Sequence, residues 1–159
     1  MGNNLMVRKV AYEADVIRLT IGYDFYETAS IAEVFSILAD NHINVDMIVQ
    51  SVMDGVKPIV SFTIAKEKFA ESLRILEASK VSLGFQFADF EVGLAKISIT
   101  GSGMVFGPGV AARIFARLGK GHIPVKMVSA SEVKVSVIVP QDEMMQAANM
   151  LHDEFALIH

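Results

Sequence analysis

The chain has 159 residues, of which 52% are hydrophobic and 20% charged, and a formal net charge of −4; this excludes a disordered tail and gives no long-range attraction to phosphate backbones. The absence of cysteine excludes disulfides, thiol catalysis and cysteine-ligated metals, and the fourteen Lys and Arg read as scattered rather than gathered into a stripe. No run approaches the roughly 18–20 apolar residues of a membrane helix, and Met1-Gly2-Asn3-Asn4 opens no signal peptide, so a cytoplasmic protein is expected.

In chain order, Leu5 to Tyr12 alternates as a strand, and Val16 to Ile21 is a second, apolar one. Ser30 to Asn41 switches to helical spacing, with Ile31, Val34, Phe35 and Leu38 on one face. Ile43 to Gln50 reads as a strand in which Val45, Met47 and Val49 alternate with Asp46, Ile48 and Gln50. Asp54-Gly55 is a hairpin signal leading into Ile59 to Ile64, with Pro58 tolerable at a strand start. Lys66 to Ser79 has a helical face of Phe69, Leu73 and Leu76, and Phe85 to Val92 is a fourth strand. The order β-α-β-β-α-β gives a four-stranded antiparallel sheet with both helices on one face, the ferredoxin-like arrangement of the α+β class.

The same order then recurs. Val16 to Ser51 laid over Lys96 to Ser131 without a gap gives ten identities in thirty-six, at Ile17, Thr20, Ala32, Phe35, Leu38, His42, Ile43, Val45, Met47 and Ser51. A period of eighty is too long for a solenoid and implies tandem globular modules. The second copy reads as strand Ala95 to Thr100, helix Gly109 to Gly119, strands Val125 to Ser129 and Val133 to Val139, and helix Asp142 to Phe155. After it only Ala156 to His159 remain, too few for a fourth strand, so the N-terminal strand is expected to complete the second sheet. The expected modules are 14–92, and 93–159 together with 5–12.

Three stretches carry a family resemblance: Ile43-Asn44-Val45-Asp46-Met47-Ile48-Val49-Gln50-Ser51, Gly107-Pro108-Gly109-Val110-Ala111-Ala112-Arg113-Ile114-Phe115, and Ser129-Ala130-Ser131-Glu132-Val133-Lys134-Val135-Ser136-Val137. They resemble the C-terminal regulatory region of aspartate kinase, a tandem pair of ACT domains in which the first is inserted into the second. The resemblance implies an allosteric sensor for an amino-acid end product, lysine or threonine, in lysine, threonine and methionine biosynthesis. It further implies feedback inhibition without a catalytic domain in this chain, association as a homodimer through the ACT modules or with a catalytic chain, and no cofactor. A stand-alone tandem-ACT regulator is the alternative. An enzyme on the same architecture, such as an acylphosphatase, would need an arginine in a phosphate-cradling turn, and neither strand-to-helix turn holds one.

The strand-to-helix turn of such a module presents helix N-terminal N–H groups suited to a carboxylate. In copy one this turn is Asp24-Phe25-Tyr26-Glu27-Thr28-Ala29-Ser30. The usual Asp-x-Pro-Gly of the family would fall with Asp at Tyr26, Pro at Thr28 and Gly at Ala29. Glu27, Thr28 and Ser30 can contact a ligand or simply cap the helix. Gln50 matches a position whose amide touches the effector, and Ile123, Pro124 and Val125 match a strand start that offers backbone groups from the other ACT unit. Family members usually carry asparagine where Pro124 stands, which costs one N–H donor. In copy two, Gly101-Ser102-Gly103 and Gly107-Pro108-Gly109 build a comparable turn or only a short connection. Neither a dinucleotide fingerprint nor a nucleotide-binding loop fits, because Phe106 stands where a glycine is needed and no Gly-Lys-Ser/Thr follows. His42 and His122 lack a third ligand and read as structural or surface residues. Asp142-Glu143 and Asp153-Glu154 read as solvated faces, and Met144, Met145 and Met150 as core filler.

Overall fold

A computed structural model of the chain describes residues 7–26, 28–101, 106 and 109–156, with the side chains of Thr28 and Ala29 left aside. Its elements are strand β1 (Val7–Gly22), helix α1 (Thr28–Asp40), strands β2 (Ile48–Met53) and β3 (Lys57–Ala65), helices α2 (Phe69–Ala78) and α3 (Lys80–Leu83), and strand β4 (Phe87–Gly101). Helix α4 (Val110–Lys120), strands β5 (Met127–Ala130) and β6 (Lys134–Pro140), and helix α5 (Met144–Glu154) follow. The chain divides into two compact units, the first Val16–Val92 and the second Met1–Asp15 with Gly93–His159.

In the first unit the strand order is β2-β3-β1-β4, supplied by the C-terminal half of β1 and the N-terminal half of β4. Ile17, Leu19 and Ile21 of β1 and Val60, Phe62 and Ile64 of β3 bury one face against Val34 and Leu38 of α1 and Ile75 and Leu76 of α2. Phe35 meets Phe62 edge to face, with ring centroids 5.4 Å apart. The hairpin forms at Met53 to Val56, where the Val56 N–H donates to the Met53 carbonyl (3.1 Å). Asp54 and Gly55 both take positive φ, 52° and 74°, the conformation a twist-matched hairpin turn favours, and with Met53 paired to Lys57 the loop runs from Asp54 to Val56.

In the second unit the order is β1-β4-β6-β5, so the N-terminal strand supplies the fourth strand of this sheet. Val7 and Val10 of β1 are buried in one cluster with Ile97 and Ile99 of β4, Val135, Val137 and Val139 of β6, Ile114 and Leu118 of α4, and Ala148 and Leu151 of α5. The fold is therefore two ferredoxin-like βαββαβ modules, the second completed by the N-terminal strand. On α5, Met150 packs against this core, whereas Met145 is 45% exposed and is not core filler. Glu154, expected on a solvated face, is instead held by Arg113 Nε at 2.8 Å, and the same guanidinium lies over the Phe155 ring.

The structure differs from the sequence expectation at several places. The strands expected at 5–12 and 16–21 are one strand, and those at 85–92 and 95–100 are another. Asp15 and Gly93, which fall between the expected strands, stay inside the observed ones by taking positive φ of 59° and 70°. The Asp15 side chain is clasped by Gln141, whose Oε1 accepts from the Asp15 N–H at 2.9 Å. The strand expected from Ile43 begins at Ile48, because Asp46 and Met47 both oppose Thr63. The Asp46 N–H donates to the Thr63 carbonyl, the Thr63 N–H to the Met47 carbonyl, and the Met47 N–H to the Thr63 hydroxyl, each at 3.0 Å. Two residues facing one is the arrangement of a bulge.

The repeated His-Ile pair has a structural explanation. His42 and His122 take φ of 60° and 57°, and each N–H donates back to the helix, to Ala39 at 3.0 Å and Gly119 at 3.1 Å. The next N–H, of Ile43 or Ile123, reaches the carbonyl of Leu38 or Leu118 at 3.0 and 3.1 Å. This bond pair, with a left-handed residue and an apolar contact across it, is the Schellman helix stop. Histidine is among the non-glycine residues that tolerate that conformation.

Candidate functional site

In the first unit β1 is pinned on both sides as it ends. The Tyr23 N–H donates to the Pro58 carbonyl (3.0 Å), and the Gln86 N–H to the Gly22 carbonyl (2.8 Å). Beyond Tyr23, which is buried, the chain leaves the sheet: Asp24 is exposed, Phe25 is 73% and Tyr26 59% exposed. Glu27 lies outside the described residues, as do the side chains of Thr28 and Ala29; α1 begins at Thr28, and Ser30 is buried at 9% exposure.

Gln50 is brought to the same end of this unit. It pairs with Val60, which pairs with Ile21, two residues before Tyr23. Paired residues point to one side of a sheet, and Ile21 and Val60 belong to the buried core. Gln50 therefore stands at the outer edge of the helix-covered face and is exposed. The neighbouring core contains an apolar recess of about 150 Å³, lined by Ile21, Tyr23, Ile31, Val34, Phe35 and Val60. Its floor was predictable from strand periodicity, but the role of Tyr23 was not, because a tyrosine at a strand end reads as a surface residue.

Ile123, Pro124 and Val125 belong to the second unit. The Ile123 side chain is buried and its N–H is taken by the helix stop at Leu118, while Pro124 is exposed and has no N–H. That leaves the Val125 amide as the donor in this stretch. Of the copy-two turn, Ser102, Gly103, Gly107 and Pro108 lie outside the described residues. Among the described residues no group of three His, Asp or Glu is placed to hold a metal, and no helix is long and apolar enough to cross a membrane.

Comparison with known proteins gives the chain its family. Residues 97–155 match the ACT domain family. The chain is 43% identical over 157 residues to the aspartokinase of Bacillus sp. (strain MGA3), covering 99% of this chain and 38% of that protein. It thus spans well under half the length of the curated relatives it matches. Among solved structures it resembles a chain of the aspartokinase alpha and beta subunits, with a TM-score of 0.86, 31% identity, and 95% and 99% of the two chains covered. It also resembles the ligand-free regulatory subunit of aspartate kinase from Thermus thermophilus, with a TM-score of 0.84, 31% identity, and 94% and 99% covered. What these relatives share with the present 159 residues is the regulatory region. The chain belongs to the aspartate kinase family, as its tandem-ACT regulatory region.

Proposed function

We propose that these 159 residues sense a free amino acid, lysine or threonine, and pass its binding to an aspartate kinase catalytic chain as feedback inhibition in the cytoplasm. The observation that carries this reading is the end of β1 in the first unit. There Asp24 to Tyr26 are exposed beside the start of α1, and Gln50 stands level with Ile21 on the helix-covered face. Helix N-terminal N–H groups suit the carboxylate of an amino acid, and the Gln50 amide can donate and accept at its polar end. The effector would be held by Asp24, Tyr26, Glu27, Thr28, Ala29, Ser30 and Gln50 of one copy. Ile123, Pro124 and Val125 of a second copy would close the pocket, chiefly through the Val125 amide, so that the sensing form is a homodimer.

The match to a structure of aspartokinase alpha and beta subunits supports a catalytic partner over a stand-alone regulator. Binding at a subunit junction couples the ligand to quaternary arrangement, typically by about 1–3 kcal/mol. A thermal-shift titration with lysine, threonine and methionine tests the sensor. Ligand at about 100 times its dissociation constant adds roughly 2.7 kcal/mol of stability, and lysine or threonine should raise Tm where methionine does not. Absence of any shift would leave this region a purely structural role, and failure to co-purify with a catalytic chain would favour the stand-alone regulator.

A further inference from the structure

The two modules share a core pattern but differ on the sheet face that carries no helices. In the second unit Ile97, Ile99, Val135 and Val137 point into the core, so the alternate residues Lys96, Ser98, Thr100, Lys134 and Ser136 lie on the opposite face. Ser98 pairs with Ser136 and Thr100 with Lys134, and the two serine hydroxyls are 3.3 Å apart. A groove of about 290 Å³ opens on this face, lined by Lys9, Tyr12, Glu13, Lys96 and Lys134 over a floor of Ser98 and Thr100. Three ammonium groups and one carboxylate therefore share a small groove in a chain of net charge −4.

The first unit shows that the fold does not require these lysines. Val16 stands where the second unit has Lys96, and Ser61, which pairs with Thr20 as Lys134 pairs with Thr100, stands where it has Lys134. On that face Arg18 donates to the Thr20 hydroxyl and is neutralised by Asp89 (3.6 Å) and Glu91 (3.8 Å), and Lys57 stands apart at the hairpin end of β3. A lysine on a solvated strand has little intrinsic preference to be there, so two divergent lysines converging with a third on a hydroxyl floor call for a ligand. Hydroxyls that can donate, surrounded by ammonium groups, match an oxyanion bearing more than one negative charge.

We propose that the helix-free face of the second unit is a binding site for a small multivalent oxyanion, carrying phosphate or carboxylate groups, separate from the turn of the first unit. The test titrates pyrophosphate and citrate into the 159-residue chain at fixed ionic strength. Binding is read by calorimetry and by amide shifts of Ser98 and Thr100 in nitrogen-15 NMR. Saturable binding of either anion that moves those amides is expected, with pyrophosphate dominance assigning phosphate chemistry and citrate dominance polycarboxylate chemistry. Lys134→Glu sits at an exposed position and should weaken binding about tenfold or more, the scale of one lost charge-assisted hydrogen bond, while Lys134→Arg retains it. An unchanged circular dichroism spectrum and Tm would show that the charge, and not the fold, was removed. Should Lys134→Glu perturb the fold, Lys9→Glu on the exposed edge of the groove serves in its place. No saturable binding of either anion, or binding that ignores both reversals, would overturn the proposal. So would a change of oligomeric state on Lys134→Glu without anion binding, which would assign the face to a protein contact.

Discussion

Removing residues 1–12 should unravel the second unit and spare the first. The lost segment contributes Val7 and Val10, 1% and 6% exposed, to the second core. Burying a valine is worth about 1.5–3 kcal/mol, so the two side chains account for about 3–6 kcal/mol, a large share of the roughly 5–15 kcal/mol that holds a domain together. The loss also leaves β4 of that unit without its neighbour on one side, an open edge that invites fraying and association. In the first unit, by contrast, every β1 residue paired with β3, from Val16 to Gly22, remains. Hydrogen exchange followed by NMR reads the two units separately. Amides of Ile97, Ile99 and Val137 should lose protection by orders of magnitude, while those of Leu19, Phe62 and Ile64 keep most of theirs. Equal loss in both units, or none in either, would refute the reasoning.

Phe35 and Phe115 occupy the same position of the two copies but not the same environment. Phe35 packs on Phe62, while Phe115 is 37% exposed; Phe35→Ala should cost about 2–3 kcal/mol, below the 3–5 of a fully buried ring, and Phe115→Ala about 1 kcal/mol, measured by urea unfolding. Gly55→Ala meets no atom within 4 Å but keeps a φ of +74°, so only backbone strain opposes it, and a loss of about 1–2 kcal/mol is expected in the same assay. Gln50→Ala should leave Tm of the unliganded chain unchanged, because the residue is exposed, while abolishing the shift caused by the effector. A large drop without ligand would show that Gln50 is structural.

The element order was legible because the duplication lets each copy check the other, and because the inward stripes of β1, β3, β4 and β6 repeat with period two. The strand junctions were not. Asp15 and Gly93 are residue types depleted in strands, and only their positive φ shows that the chain passes through without stopping. His42 and His122 were visible as a repeat, yet their role as helix stops depends on bonds back to the preceding helix that no spacing rule displays. The start of β2 was misplaced because the bulge opposite Thr63 preserves the alternating burial of Ile43, Met47 and their neighbours while interrupting regular pairing.

The candidate site was legible in part. The exposed turn and Gln50 follow from motif and strand register, whereas Tyr23 joins the recess only through tertiary packing. The lysine groove was hidden altogether, since residues 9, 96 and 134 are scattered in sequence and meet only through sheet topology.

The central claim, that this region binds a free amino acid, is tested most directly by isothermal titration calorimetry of the 159-residue chain with lysine and with threonine. Saturable heat with one of them, lost in Gln50→Ala while circular dichroism stays unchanged, is the predicted result. Flat titrations with both, or binding that Gln50→Ala leaves intact, would contradict it.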